Sequence, residues 1–255
     1  MISVTFLGTG TSHGIPVIGC HCPVCSSQDP YDKRWRASLL LEKEGTKVVI
    51  DTGYEFRLQA LRAGIDKLDA VLYTHHHSDH LMGLDDLRVF TEKEKLKVYG
   101  LESTLERIEG IFPYAFSTMA YKGVPRLEPM PVREREAFTV GALSFTPIPL
   151  LHGQLRIAGY RFGKAAYFTD VSDMLWEENE EALKGIETLI IGGLRKVPHW
   201  SHFTFEQAAQ AGERIGAKEI YFTHISHETS DGEIRRLYSG RALPAHDMLR
   251  LEVEE

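Results

Sequence analysis

The 255-residue chain carries a net charge of −7, with 43% hydrophobic and 25% charged residues. That composition belongs to a globular protein long enough to build its own core without disulfides. The acidic balance, with no basic patch or tail, argues against long nucleic acid as a substrate and favours a small molecule.

In chain order, Met1 leads directly into a strand, "SVTFLG", with no basic n-region, long apolar stretch or cleavage site before it. No apolar run approaches the length of a membrane span. A cytoplasmic protein without membrane contact is therefore expected. The three cysteines, Cys20, Cys22 and Cys25, follow in one tight cluster. An odd, clustered set in such a chain points to metal chemistry rather than to a disulfide framework. Further strands are expected at "ASLLLE", "KVVID", "AVLYT", "KVYG", "LSFTPIPL", "AGYRF", "AAYFTD", "ETLIIGG", "EIYFTH" and "MLRLEV". Helical periodicity marks "EFRLQALRAG", "ESTLERIEGI", "DMLWEENEEALKG", "FEQAAQAGERIG" and "GEIRRLYSG". No repeat or low-complexity linker divides them, so the expectation is one α/β domain over residues 1–255, with sheets covered by helices.

Several apolar runs end on a residue able to bind metal: "KVVI" at Asp51, "AVLYT" at His75, "FTPIPLL" at His152, "AAYFT" at Asp170 and "EIYFT" at His224. Ligands of α/β sheets gather beyond the carboxyl ends of strands, so these tips can meet at one edge.

The densest of them is "VLYTHHHSDHLMGLDDL", which places His75-x-His77-x-Asp79-His80 behind a strand. A solvated His loop is the competing reading. On extended backbone, residues two apart face the same way, so His75 and His77 can reach one ion while His76 points elsewhere. Asp79 and His80 project differently and can reach a second ion at the start of a helix, with Ser78 or Asp79 as its N-cap. His152 would complete a three-His set on the first ion, and His224 would join Asp79 and His80 on the second. Asp170 could bridge both. Five imidazoles and two carboxylates suit zinc, manganese or iron better than calcium or magnesium.

This arrangement, HxHxDH followed by spaced His, Asp and His, resembles the metallo-β-lactamase superfamily. The resemblance implies an αβ/βα sandwich with a dinuclear site between the sheets, and a structural role for Asp51 in "VVIDTG". Flavin-linked di-iron members carry Glu in place of His77, so the His here favours hydrolysis.

"VTFLGTGTSHGIPVIGCHCPVCSS" resembles the start of the phosphodiesterase branch, and Cys20-x-Cys22-x-x-Cys25 is similar to the PhnP family of cyclic-phosphate phosphodiesterases. That resemblance implies a structural zinc on Cys20, Cys22, Cys25 and a histidine from "FTHISHE", with His227 matching it. Three thiolates need one such further ligand. His21, between two of the cysteines, would be strained in that role. In "HWSHFTFEQA", His202 matches a histidine placed near the scissile phosphate. Thr204 and Gln207 form a capping-box pattern directly after it, and a helix N-terminus suits phosphate. His199 is the alternative, although a surface position suits it better. "RKV", from Arg195 to Val197, departs from the pattern of that family.

The implied reaction is hydrolysis of a small cyclic phosphodiester, a ribose cyclic phosphate or a 2′,3′-cyclic nucleotide, by hydroxide held between two zinc or manganese ions. Asp79 would orient the hydroxide, and His202, at an ordinary imidazole pKa, would protonate the leaving oxygen. The rival readings are an RNA-processing nuclease of the transfer-RNA-maturation type and a PqqB-like cofactor-biosynthesis protein. The sequence leaves a homodimer open.

Overall fold

A computed structural model describes residues 1–117 and 123–255. The chain folds as two seven-stranded sheets packed face to face. The first sheet uses β1 (Ile2–Gly8), β2 (Ser38–Lys43), β3 (Thr46–Ile50), β4 (Ala70–Leu72), β5 (Leu96–Leu101) and β6 (Leu127–Val132), in sequence order. The last strand, β14 (Arg250–Val253), closes against β1. The second sheet runs through β7 (Phe138–Val140), β8 (Leu143–His152), β9 (Leu155–Phe162), β10 (Ala165–Phe168), β11 (Thr188–Gly192), β12 (Glu219–Thr223) and β13 (Leu243–Pro244). Each sheet is antiparallel at one end and parallel at the other.

Alternation along each strand decides which side chains face the partner sheet. Leu39 and Leu41 of β2 join Phe6, Val48 and Ile50 against Phe145, Tyr160, Phe162 and Tyr167 in the core between the sheets. Leu40, between them, points to the other face and packs with Val49, Val71 and Phe56. This is the period-two pattern of a strand buried on both faces.

Helices α1 (Phe56–Ala63), α2 (Ser78–Leu81), α3 (Glu102–Ile111) and α4 (Pro113–Phe116) supply cover beside the first sheet, with Phe56, Leu81, Leu105, Ile108 and Ala115 in that outer core. Helices α5 (Trp176–Leu183), α6 (Phe205–Ile215) and α7 (Asp231–Leu237) cover the second through Leu183, Phe205, Ala208 and Ile234. The layers run helix, sheet, sheet, helix, which is the αβ/βα sandwich expected from the sequence.

Local departures from that expectation have physical causes. The helix after His77 lasts one turn, Ser78–Leu81, with His77 rather than Ser78 or Asp79 at the N-cap position. A 3₁₀ segment, Leu84–Phe90, then takes over. Gly53 and Gly83 set this geometry: a Cβ on Gly53 would lie 2.2 Å from the Asp79 carbonyl oxygen, and one on Gly83 2.2 Å from that of Gly53. Only glycine permits the two loops to approach so closely. β6, "LEPMPV", contains two prolines and pairs on one side only, at the sheet edge where missing N–H donors are tolerated. No helix of the described residues is long and apolar enough to cross a membrane.

Candidate metal and phosphodiester site

The residues at five strand ends meet at one edge of the sandwich. Asp51 directly follows β3 and His224 directly follows β12, while Asp170 lies two residues beyond β10. All three adopt left-handed backbone, with φ of 63°, 55° and 54°. Asp and His tolerate this region better than most side chains, and their side chains meet at the cluster described below. His152 ends β8, and His75 lies on the loop after β4.

Four donor groups result, within each of which the candidate ligand atoms all lie within 4.8 Å of one another. The first is His75, His77 and His152. The second is Asp79, His80, Asp170 and His224. A third, His152, Asp170 and His202, overlaps both sets, and the last is Cys20, Cys22, Cys25 and His227. Among the described residues His76 belongs to none of them. Asp170 joins the first two: its Oδ2 is 3.2 Å from His80 Nε2, and its Oδ1 is 3.2 Å from His224 Nε2 and 3.9 Å from His152 Nε2. Asp79 Oδ2 lies 3.2 Å from His80 Nε2 and 3.5 Å from His224 Nε2.

A second layer orients these rings. Asp51 is fully buried. Its Oδ1 accepts from the Thr74 backbone N–H at 2.9 Å and its Oδ2 from the Thr74 hydroxyl at 2.8 Å. The same Oδ2 lies 2.8 Å from His80 Nδ1. The Ser201 carbonyl oxygen sits 2.7 Å from His152 Nδ1. In both histidines Nδ1 is engaged and Nε2 is presented to the cluster, an arrangement shared with metal-ligating imidazoles.

The electrostatics fit cations. Burial, then His80, pushes His75 well below the ordinary imidazole value, which leaves a free lone pair. Burial acts to raise Asp79, but the neighbouring His80 and His224 outweigh it and hold the carboxyl below its usual range. Burial would lower His80, but the Asp79, Asp170 and Asp51 carboxylates raise it well above its usual value, so a proton is favoured where positive charge is needed. The buried Nε2 atoms of His75, His80 and His224 have no hydrogen-bond partner. Buried polar atoms rarely remain unpaired, so orphans within these donor groups fit divalent ions.

His202 shares this edge. Its Nδ1 is 3.8 Å from Asp170 Oδ1, and its ring stacks on His224 with centroids 5.0 Å apart. The capping box expected after it is present: Thr204 Oγ1 accepts from Gln207 N–H at 3.2 Å and Gln207 Oε1 from Thr204 N–H at 2.9 Å. The ordinary pKa expected for His202 is not found. Burial lowers it to about 3, with Asp170 opposing and His224, His152 and His199 adding to the fall. His199 is not an isolated surface residue; with Thr11, Ser12, His13, Arg195 and His202 it lines a cleft of about 230 Å³. Arg195, in the atypical "RKV", is tied to Glu228 at 2.9 Å and to the Val197 carbonyl at 3.1 Å.

The last donor group borders that cleft through His227. His227 Nδ1 is 3.4 Å from the Sγ atoms of Cys20 and Cys22 and 3.5 Å from that of Cys25. All three cysteines are free. The Cys25 N–H donates to Cys22 Sγ at 3.4 Å, and that contact leads in lowering the Cys22 thiol to about 6. The Val17 N–H donates to Cys25 Sγ at 3.3 Å. Four converging soft and borderline donors, with amide N–H groups on sulfur, fit a tetrahedral zinc site. Sequence reasoning did not reach Thr74 or the Ser201 carbonyl, because a hydroxyl and a main-chain oxygen leave no ligand pattern to read.

Comparison with known proteins agrees with this architecture. Residues 46–225 match a family model described as the beta-lactamase superfamily domain. A solved structure described as a new diphosphatase from the PhnP family superposes with a TM-score of 0.91 at 41% identity, covering 100% of this chain and 98% of that one. The chain therefore belongs to the beta-lactamase superfamily and, within it, to the PhnP family. An octanoyltransferase of Porphyromonas gingivalis is 45% identical over 223 residues, 87% of this chain and 45% of that protein, so the chain spans about half that relative's length. A ribonuclease Z of Mycobacterium sp. (strain KMS) is 26% identical over 264 residues, 91% of this chain and 87% of that enzyme.

Proposed function

We propose that the chain is a metal-dependent phosphodiesterase that hydrolyses small cyclic phosphodiesters, ribose cyclic phosphates or 2′,3′-cyclic nucleotides. The observation that carries this reading is Asp170: one carboxylate faces both imidazole sets and His202 at 3.8 Å. His75, His77 and His152 would hold one divalent ion, Asp79, His80 and His224 a second, with Asp170 shared. Zinc or manganese there would supply water of lowered pKa and offset charge on the phosphoryl oxygens.

The chain's own residues do the rest. Asp79 accepts the hydrogen bond of the attacking water and orients it. His202 gives a proton to the leaving oxygen. In the resting protein it is neutral, and the negative charge of a bound phosphodiester is what favours its protonated form. The short helix after His77 carries Asp79, and the capped α6 anchors the end of the loop that carries His202. Cys20, Cys22, Cys25 and His227 would bind a structural zinc that ties residues of the N-terminal loop to the segment after His224.

The likeness to ribonuclease Z supports a second reading, an RNA-processing nuclease, against which the net charge of −7 counts. A hydrolysis panel with zinc and manganese tests both: bis-p-nitrophenyl phosphate, cyclic nucleotides, a transfer-RNA precursor, a thioester and a lactam. Turnover of the first two supports the proposal. Activity confined to the thioester and lactam overturns it, and the thioester arm also covers the acyl chemistry named for the Porphyromonas relative.

A further inference from the structure

Trp200 follows the cleft residue His199 in the chain, and 77% of its surface is exposed. The other tryptophans, Trp35 and Trp176, each carry a guanidinium on the ring, from Arg62 at 5.2 Å and Arg214 at 3.9 Å. Trp200 is instead seated on Gly153, the residue after His152. A Cβ on Gly153 would lie 2.2 Å from Trp200 Cζ3, and its φ of +61° also favours glycine. The indole is thus docked against backbone beside a candidate metal ligand while most of its surface faces water.

Other flat rings connect it to the interior. Centroid separations are 6.2 Å from Trp200 to His199, 5.1 Å from His199 to His202, 5.0 Å from His202 to His224 and 5.7 Å from His224 to His80. Ser201 fixes His199, with its N–H 3.3 Å and its hydroxyl 3.2 Å from His199 Nδ1. A row of rings therefore runs from the buried ligand set out to an uncovered indole.

We propose that Trp200, with His199, is the stacking platform for the base of a nucleotide substrate, so that the site selects cyclic nucleotides over base-free sugar phosphates. This rests on the phosphodiesterase reading. If His202 serves the leaving oxygen, the group joined beyond that oxygen meets the neighbouring rings of the same loop. A sugar fits alongside His199, and the flat base attached to it reaches the indole. Stacking suits every base because each has a π face, and an exposed tryptophan seated on glycine supplies that surface at low entropic cost. The platform touches no reacting atom, so its effect falls on binding.

The test is steady-state kinetics on 2′,3′-cyclic AMP and on methyl riboside 2,3-cyclic phosphate, which lacks a base, for the wild type, Trp200→Ala and Trp200→Phe. Trp200→Ala should raise KM for cyclic AMP on the order of tenfold, the loss of one base–aromatic stack, with a much smaller change in kcat. Discrimination between the two substrates should collapse with it, and Trp200→Phe should restore most of it. Equal losses on both substrates, or none on either, overturn the platform. If the wild type cleaves neither substrate, the hydrolysis panel decides the phosphodiesterase reading separately. The platform is then read from tryptophan fluorescence with adenosine 2′-monophosphate and ribose 5-phosphate on the metal-loaded protein. Tighter, Trp200-dependent binding of the nucleotide sustains it, and equal affinity overturns it.

Discussion

The Nδ1 of His80 lies 2.8 Å from Oδ2 of Asp51, both side chains are fully buried, and this contact decides which nitrogen His80 turns toward Asp79 and Asp170. Asp51 accepts from Thr74 twice as well, so three contacts hold its carboxylate. In Asp51→Asn the new amide N–H₂ opposes either Thr74 or His80, and His80 gains a reason to carry its proton on Nε2. Metal affinity of the Asp79–His80–Asp170–His224 set should fall about 10- to 100-fold, as for lost outer partners of ligating histidines. Stability should fall by about 1–3 kcal/mol, the cost of an unpaired buried group. Metal titration and thermal unfolding read the two effects, and unchanged metal affinity would exclude this orienting role.

His202→Ala separates proton delivery from metal binding. Turnover of a cyclic phosphodiester should drop about 10²- to 10⁴-fold, the range for a general acid. Divalent-ion content should stay near that of the wild type. A parallel loss of metal and activity would make His202 a ligand instead. The deficit should shrink for a p-nitrophenyl ester, whose leaving group needs no proton.

At the cysteine cluster, Cys22→Ser should remove one zinc per chain, measured by elemental analysis of protein purified without added metal. A tetrahedral site that loses a thiolate binds zinc far more weakly, and metal binding is coupled to folding. A chelator should therefore lower the wild-type melting temperature more than that of Cys22→Ser. Full zinc retention in the variant would contradict the structural-zinc proposal.

Asp247 supplies a pH test away from the ligand clusters. It accepts from Thr9 Oγ1 at 2.8 Å and from the Trp35 N–H at 2.7 Å, yet burial raises its pKa to about 6. A carboxyl raised on folding binds its proton more tightly in the native state, so its contribution to stability is greatest at low pH and declines as pH rises toward 6. The unfolding free energy of the wild type minus that of Asp247→Asn should therefore fall between pH 4 and pH 6, by up to about 3 kcal/mol. Denaturant titrations at each pH measure it. A difference that is flat or rises with pH would refute the assignment.

Much of the fold was legible because strands buried on both faces are written as apolar runs and helices as apolar stripes. The ligand candidates were legible because strand tips are where such sheets converge, and His75, His152 and His224 stand at or just beyond those tips. The turns that aim the side chains were not. Asp51, Asp170 and His224 adopt left-handed backbone, and nothing in "VVIDTG", "YFTDVS" or "FTHISH" sets such a residue apart from one in an ordinary loop. The end of the short helix Ser78–Leu81 was not legible because it lies where Gly53 and Gly83 bring distant segments into close approach. The lowered pKa of His202 likewise depends on burial and on rings contributed by β8 and the end of β12.

The central claim is attack of water on phosphorus at the edge shared by the two sheets. Hydrolysis of 2′,3′-cyclic AMP in ¹⁸O-labelled water, followed by mass spectrometry of the products, tests it most directly. The account predicts one labelled oxygen on the phosphate under single-turnover conditions, dependent on zinc or manganese and abolished with loss of the Asp170 carboxylate. Label on the nucleoside carbon–oxygen bond, or no hydrolysis of any cyclic phosphodiester with either metal, would contradict it.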